Sequence, residues 1–327
     1  MLRRDDAWIW DSWTVRDGEV HHLFFLCAPR ALGDPDRRHL HARIGHASST
    51  DLRTWTDHGD VLLPSAGGWD DLALWTGSVV RGEDGRWRMF FTALGSRGLG
   101  ARDQRIGLAV SDDLQHWVRV HDQPVVAVDP RRYRTVPGAP DASETWRDPF
   151  VVRDPAGGWT MLVAARAVDG RPGDDGVLAT AHAPTVDGPW RVGPPASTPG
   201  AGFSQLEVPQ VAVVDGHPVL VFTCHPDEQT AERVARWGRW STWAVVGAPG
   251  APLTGPWDVA SARPVTVDPS LFAAPLFHRT DGGWAMAGFR NLAGTPAEAD
   301  ALFVGDPFDV GVRDGRFVAL QRMGAGR

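Results

Sequence analysis

The sequence predicts an all-β protein that forms a single five-bladed β-propeller with a central funnel. Short apolar runs follow glycine-containing turns, and this turn-and-strand pattern repeats every 60 to 71 residues along the 327-residue chain. A period of this size is typical of arrays of supersecondary units, and each unit has room for about four short strands, as in a propeller blade. Five such units fill residues 1–327, so we expect one domain.

The turns mark the predicted hairpins. Asp-Gly or Gly-Gly stands between paired apolar runs, where glycine tolerates a positive φ. The runs after the turns read HHLFFLCA, RWRMFFTAL, GWTMLVAAR, HPVLVFTC and GWAMAGFR. The runs before the turns are the expected inner strands, and their equivalent positions are Asp11, Thr76, Arg147, Glu207 and Phe272.

A second repeat follows four of the hairpins, with the sequences STDLRTW, SDDLQHW, TVDGPW and LTGPW. The final tryptophans, Trp55, Trp117, Trp190 and Trp257, lie 62 to 73 residues apart. A two-sheet sandwich with regular turns is the alternative fold. The agreement between two independent repeats favours the propeller.

Composition excludes several classes of protein. The formal net charge is −7 and no basic cluster is interleaved with aromatic residues, so we expect no nucleic-acid partner. Cys27 and Cys224 are the only cysteines, too few for a disulfide framework or a zinc site, and we predict no metal and no cofactor. The N-terminal stretch lacks the apolar core of a secretion signal, and no apolar run is long enough to cross a membrane. These features predict a cytoplasmic location.

Three predicted inner strands carry acids at comparable positions, namely Asp11, Asp148 and Glu207. Inner strands line the channel of a propeller, so we expect these carboxyl groups to converge. Glycoside hydrolysis needs one ionised carboxylate and one carboxyl whose raised pKa lets it donate a proton. Taken singly, Asp11 could cap a turn, Asp148 could pair with Arg147 at the surface, and Glu207 could lie at a sheet edge. Their matching places in the repeat favour a shared site.

These residues lie in motifs that resemble glycoside hydrolase families 32 and 68. Trp10–Trp13 (WDSW) resembles the nucleophile motif of levansucrases, and Trp75–Ser78 (WTGS) resembles a Trp-Ser-Gly-Ser motif of both families. Trp146–Pro149 (WRDP) matches their Arg-Asp-Pro motif, and Leu206–Pro209 (LEVP) resembles the Glu-Cys-Pro motif of family 32. Asp268–Pro275 (DPSLFAAP) is similar to a fifth-blade segment of family 32.

The resemblance implies a retaining double displacement on a β-fructofuranoside, such as sucrose or a short fructo-oligosaccharide. It makes Asp11 the nucleophile, Glu207 the general acid and base, and Asp148 the residue that binds fructosyl hydroxyls and stabilises the transition state. The substrate-binding residues it implies are Trp10, Trp13, Trp75, Thr76, Ser78, Arg147, Gln205 and His225. Family 32 enzymes normally add a C-terminal β-sandwich, for which residues 1–327 leave no room.

Two positions depart from the levansucrase pattern. Gln205 stands where levansucrases carry an acid, and His225 stands where they carry an arginine. Both positions lie on the leaving-group side, so the sequence favours hydrolysis over fructosyl transfer. An arabinofuranosidase of the related family 43 and a non-catalytic sugar-binding propeller are the alternatives. We expect a small carbohydrate as the partner, no membrane contact, and a homodimer as one way to cover an exposed face.

Overall fold

The computed structural model describes residues 1–96, 103–135 and 145–320. Within these ranges the strands form five four-stranded antiparallel sheets and one two-stranded sheet. The first sheet contains β1 (Ala7–Asp17), β2 (Val20–Pro29), β3 (Arg43–Ser49) and β4 (Thr56–Leu62). The second contains β5 (Ala73–Arg81), β6 (Trp87–Leu94), β7 (Gln104–Ser111) and β8 (Val118–Arg119). The third contains β9 (Trp146–Arg153), β10 (Trp159–Arg166), β11 (Gly176–Ala183) and β12 (Arg191–Val192).

The last two blades are less regular and carry the two short α-helices. The fourth sheet contains β13 (Glu207–Val214), β14 (His217–Thr223), β15 (Thr242–Val246) and β16 (Arg263–Pro264), with α1 (Ala231–Trp237) inserted before β15. The fifth blade contains β17 (Leu271–Phe272), β18 (Leu276–His278), β19 (Trp284–Met286), β20 (Phe289–Arg290), α2 (Glu298–Ala301), β21 (Phe308–Arg313) and β22 (Arg316–Ala319). The five-bladed propeller predicted from the repeat is confirmed.

The predicted turns close the inner hairpins. Asp17 pairs with Val20 across a two-residue turn in which Gly18 has a φ of +57°. Trp190 and Trp257 are buried beside the short outer strands, at 7% and 5% exposure, and fill the space between neighbouring blades. The first repeat therefore marks the inner hairpin of each blade, and the second marks the outer part of the first four blades.

The inner strand of the fifth blade differs from the expected continuous run. It is divided into β17, which pairs with β20, and β18, which pairs with β19. The break falls at Ala273, whose φ is +43°, and Pro275 follows without a backbone donor. Opposite the break, a Cβ on Gly288 would lie 2.8 Å from the Phe272 carbonyl oxygen, so the strands approach too closely for any larger residue.

The core is divided among the seams between blades. Five apolar clusters pack blade one on two, two on three, three on four, four on five, and five on one. The seam that closes the ring also has backbone contacts. Leu2 forms an isolated bridge with Val304, and the Ile9 N–H donates to the Leu302 carbonyl at 3.1 Å.

A β-bulge interrupts the inner strand in each of the first four blades. The register shifts between Ile9 and Ser12 in β1, between Trp75 and Gly77 in β5, opposite Leu162 and Ala164 in β9, and between Glu207 and Gln210 in β13. Bulges bend a strand and redirect its side chains, and they occur frequently beside active sites. In this chain the bulges hold the residues that the sequence motifs single out.

Candidate active site

A cavity of about 420 Å³ lies where the bulged inner strands converge. All three predicted carboxyl residues line it, together with most of the predicted binding residues. The predicted residues in its lining are Trp10, Asp11, Trp75, Thr76, Arg147, Asp148, Gln205, Glu207 and His225. Four blades thus contribute predicted residues to one central cavity.

Asp11 lies in the bulge of β1 and is only partly accessible. Burial raises its pKa to about 7, and the negative charge of Asp148 acts in the same direction. The guanidinium groups of Arg38 and Arg147 oppose this rise by favouring the ionised form. Asp11 therefore changes its charge close to neutral pH, inside a cavity walled by tryptophan.

Asp148 is the most firmly held of the three carboxylates, at 5% exposure. The Thr76 hydroxyl donates to one of its oxygens, and the Val208 N–H donates to the other at 3.0 Å. Its own N–H donates to the Thr92 hydroxyl oxygen at 2.8 Å, and its φ is +59°. A carboxylate fixed by donors from neighbouring blades is suited to orienting substrate hydroxyls.

Glu207 begins β13, where Arg147 Nη2 donates to its Oε1. Burial raises its pKa to about 8, although the Arg147 charge opposes this rise. The charges of Glu228, Asp148 and Asp11 act in the same direction as burial. The raised pKa favours the protonated form of Glu207, which a general acid requires.

Aromatic side chains form one wall of the cavity. Trp10 lies edge-on to His39, with ring centroids 6.1 Å apart, and the Arg38 guanidinium lies 5.7 Å from the Trp10 ring. Trp75 donates its indole N–H to the His39 carbonyl at 2.8 Å. Burial lowers the pKa of His39 to about 4, so its ring is neutral across the working range of the carboxyl groups.

Two of the predicted binding residues, Trp13 and Ser78, lie outside this cavity. Trp13 and Ser78 line a separate cavity of about 240 Å³. Trp13 stacks on Phe24 at 6.2 Å, and the Ser78 hydroxyl oxygen accepts from the Val151 N–H at 3.1 Å. Each stands two residues after a site residue on its strand, which places it about 6 to 7 Å further along the channel.

Sequence reasoning missed half of the lining. The segment between β2 and β3 forms a 3₁₀-helix, Pro35–His41, and brings two residues to the cavity, while other blades supply the rest. The missed residues are Leu26, Arg38, His39, Gln104, Glu228, Phe272, Phe289, Asn291 and Ala293. Two of these residues had a signal in the sequence. Glu228 lies three residues after His225 in the same loop, and Phe272 occupies the equivalent position on the fifth inner strand.

Among residues 1–96, 103–135 and 145–320, no cluster of three or more His, Cys, Asp or Glu side chains is arranged to hold a metal ion. The cavity offers carboxyls, guanidiniums and neutral hydrogen-bonding side chains for chemistry. The two carboxyl groups with raised pKa values come from different blades, β1 and β13, and face the same space. This arrangement fits acid-assisted displacement at a glycosidic carbon.

Solved structures share this architecture. The inulosucrase from Halalkalicoccus jeotgali bound to kestose superposes with a TM-score of 0.75 and 21% identity, covering 98% of this chain and 90% of that chain. Bacillus subtilis levansucrase superposes with a TM-score of 0.74 and 17% identity, covering 97% of this chain and 87% of that chain. At these identities the likeness shows the fold.

The fold and the site place this chain in the class of five-bladed propellers with a carboxyl-lined central cavity. The chain belongs to glycosyl hydrolase family 32, because the family model for the glycosyl hydrolases family 32 N-terminal domain matches residues 12–175, half of its length. The match includes the Trp75–Ser78 and Trp146–Pro149 motifs. Asp11 and Glu207 fall outside the matched residues.

Curated relatives agree with the family. An extracellular sucrase of Zymomonas mobilis is 29% identical over 192 residues, which are 54% of this chain and 45% of that protein. A fructan 6-exohydrolase of Beta vulgaris is 24% identical over 149 residues, which are 45% of this chain and 23% of that protein. The chain matches less than half the length of either relative.

The expected cytoplasmic location is wrong by this comparison, because the matching sucrase is an extracellular protein. The expectation depended on the absence of the apolar core of a secretion signal near the N-terminus. A secretion signal is removed from the mature protein, so its absence does not determine the location. In the part of the chain that the structure describes, no helix is long and apolar enough to cross a membrane.

Proposed function

We propose that this protein is a β-fructofuranosidase that hydrolyses sucrose or short fructo-oligosaccharides by a retaining double displacement. The observation that carries the proposal is the meeting of Asp11, Asp148 and Glu207 in one cavity, with Asp148 held by hydrogen bonds and the other two ionising near neutral pH. Membership of family 32 and the sucrase and fructan exohydrolase relatives support a fructosyl substrate. The propeller itself is proposed to carry the activity.

In the first step, ionised Asp11 attacks the anomeric carbon of the fructosyl unit. Glu207 gives its proton to the glycosidic oxygen as the bond from that carbon breaks, and the leaving sugar departs with the proton. The product is a fructosyl ester on Asp11, formed without net change in charge within the cavity. Asp148 accepts hydrogen bonds from the fructosyl hydroxyls, which strengthen as positive charge develops on the ring.

In the second step, Glu207 is ionised and takes a proton from water as the water oxygen attacks the anomeric carbon. The ester bond breaks, Asp11 regains its charge, and fructose leaves with retained configuration. A sugar hydroxyl in place of water would give transfer. Gln205 and His225, both in the lining, stand at the two leaving-group positions that depart from levansucrases, and we propose that hydrolysis dominates.

The cavity is of suitable size for a small sugar. Its volume of about 420 Å³ falls at the lower end of the range for small-molecule sites, about 300 to 1,000 Å³. Trp10 and Trp75 provide apolar faces, and charged groups line the same cavity. A short oligosaccharide with its terminal fructosyl unit in the cavity fits this combination.

The direct test is the release of glucose and fructose from sucrose by the purified protein and by Asp11→Asn. We expect both sugars from wild type and a loss of at least about a thousandfold in the variant. Glucose in excess of fructose would reveal transfer. No release from sucrose or inulin-type oligomers, with turnover of an arabinofuranoside, would contradict the proposal, and so would binding of fructosides without any turnover.

A further inference from the structure

A chain of hydrogen bonds links a fourth carboxylate to Glu207. Glu228 ends the 3₁₀ turn Pro226–Glu228 after β14, and its Oε1 accepts from Gln205 Nε2 at 2.7 Å. Gln205 Oε1 accepts from Arg147 Nη2, and the same Nη2 donates to Glu207 Oε1. All four residues line the central cavity. None of the sequence motifs contains Glu228.

Glu228 determines which end of the Gln205 amide faces Arg147. An ionised carboxylate only accepts hydrogen bonds, so it binds the NH₂ end of the amide and leaves the carbonyl end for the guanidinium. The reversed amide would place two acceptors together at Glu228 and two donors together at Arg147. The carboxylate therefore keeps Gln205 as an acceptor for Arg147.

Arg147 is held between competing acceptors as a result. Its Nη2 is shared by Gln205 and Glu207, and its Nε lies 3.5 Å from Asp148 Oδ2. A guanidinium committed to Glu207 alone would favour the ionised form of that carboxyl, which cannot donate a proton. Sharing with Gln205 limits this effect.

We propose that Glu228 is a positioning residue that acts through Gln205 to hold Arg147 in this shared geometry, and so keeps Glu207 able to protonate the leaving group. The role rests on the proposed function of the cavity. It extends the catalytic machinery to the loop after β14, which lies outside the segment matched by the family model.

Three negative charges around Glu207 oppose its ionisation, and one positive charge favours it. Asp11 from β1, Asp148 from β9 and Glu228 oppose the ionisation of Glu207, while Arg147 from β9 favours it. The remaining titratable or charged groups in the lining are Arg38, His39 and His225. Arg38 is paired with Glu298 at 2.6 Å. Removal of Glu228 thus withdraws a negative charge and releases Gln205, and both changes favour the ionised form of Glu207.

The test is the pH profile of kcat/KM on sucrose. In Glu228→Ala we expect the alkaline limb to move to lower pH by about one unit, with kcat reduced at alkaline pH more than KM is changed. Glu228→Gln keeps an acceptor but loses the charge, so it should show a smaller shift. Gln205→Ala should shift the limb in the same direction, and the double variant should add little because both act through one chain.

Asp227→Asn is the matched control, because it removes an equal charge one residue away. Asp227 is exposed and does not line the cavity; its carboxylate pairs with Arg239 at 2.6 Å and lies 3.6 Å from His225 Nδ1. An unchanged profile in this control supports the proposal. A profile of Glu228→Ala that superimposes on wild type, or an equal shift in Asp227→Asn, would overturn it. If Glu228→Ala does not fold, the comparison of Glu228→Gln with the control decides in the same way.

A second measurement separates failure of this role from failure of the proposed function. Carboxyl-carbon NMR titration of Glu207 needs no substrate, so it reports the effect of Glu228 even if wild type releases no fructose. A lower Glu207 pKa in Glu228→Ala than in wild type supports the positioning role. An unchanged pKa would overturn it, whatever the activity on sucrose.

Discussion

At the scale of single residues, the cavity places two carboxyl groups where their charged forms are disfavoured. Asp11 and Glu207 have pKa values raised to about 7 and about 8, with burial as the main cause. A raised folded-state pKa means that these groups stabilise the fold only while protonated, below their unfolded values near 4. This contribution is lost as pH rises through the folded pKa values. The raised pKa values of Asp11 and Glu207, which suit acid catalysis, therefore reduce the free energy of unfolding at alkaline pH.

Asp11→Asn should therefore increase the free energy of unfolding at pH 8, by about 2 to 4 kcal/mol, while abolishing activity. The gain should disappear near pH 3, about one unit below the unfolded pKa, where Asp11 is mostly protonated in both the folded and unfolded states. Urea unfolding of both proteins at the two pH values measures it. Asp17→Asn, at the half-exposed end of the same strand, is the control and should change little. A stability loss in Asp11→Asn at pH 8 would contradict the burial argument.

At the scale of elements, the bulges determine which side chains reach the cavity. The β5 bulge depends on Gly77, where an added Cβ would lie 1.8 Å from the Phe90 carbonyl oxygen, far inside any real contact. The neighbouring residue, Thr76, donates to Asp148. A change at Gly77 therefore disturbs a cross-blade contact as well as its own strand.

We expect Gly77→Ala to destabilise the fold by about 2 to 4 kcal/mol and to lower kcat, because the strands must separate at the Thr76 contact. Thermal unfolding and sucrose kinetics measure the two effects. Gly305→Ala is a suitable control, since a Cβ there would meet only the Gly288 carbonyl oxygen at an ordinary 3.4 Å. Equal effects of the two substitutions would show that the bulge has no special requirement for glycine.

A histidine stack crosses three strands of the first blade. His22 in β2 lies 2.9 Å from His46 in β3, Nδ1 to Nε2, and the His46 ring stacks on His58 of β4 at 4.7 Å. His46 is fully buried, and burial, with the nearby His22 and His58, lowers its pKa to about 3. A lowered folded-state pKa stabilises the fold above the unfolded value near 6.5, and this stabilisation is lost as pH falls toward 3.

His46→Phe should accordingly weaken the acid sensitivity of the protein. Between pH 7 and pH 5, the free energy of unfolding should fall by about 2 kcal/mol less in this variant than in wild type. Urea unfolding at the two pH values measures the difference. His121→Phe changes an exposed histidine and should leave the pH dependence as in wild type. If the free energy of unfolding of His46→Phe falls between pH 7 and pH 5 as much as that of wild type, the histidine stack does not contribute to the acid sensitivity.

At the scale of the whole molecule, the repeat in the sequence predicts the ring because each blade buries its faces only against its neighbours. Turn chemistry and strand periodicity mark the inner hairpins, which is why Asp11, Asp148 and Glu207 could be placed together from the sequence. No such periodic signal indicates which loop residues extend to the cavity. Arg38 and Glu228 come to the cavity from 3₁₀ turns between strands, whose paths depend on packing across the molecule.

The same reasoning explains where the structure departs from the expectations. Trp13 and Ser78 belong to motifs whose neighbours line the cavity, but depth along the channel follows from strand rise, which the motifs do not encode. The break in the fifth inner strand depends on the close approach at Gly288, which involves a partner strand and cannot be read from Ser270–Pro275 alone.

The most direct measurement of a double displacement by this propeller is methanolysis of sucrose, followed by NMR identification of the methyl fructoside. Methanol traps the configuration at the anomeric carbon, because the methyl glycoside does not interconvert as free fructose does. We predict methyl β-fructofuranoside from wild type, through a fructosyl ester on Asp11, and no product from Asp11→Asn. Methyl α-fructofuranoside would show a single inverting displacement and would contradict the assignment of Asp11 as nucleophile.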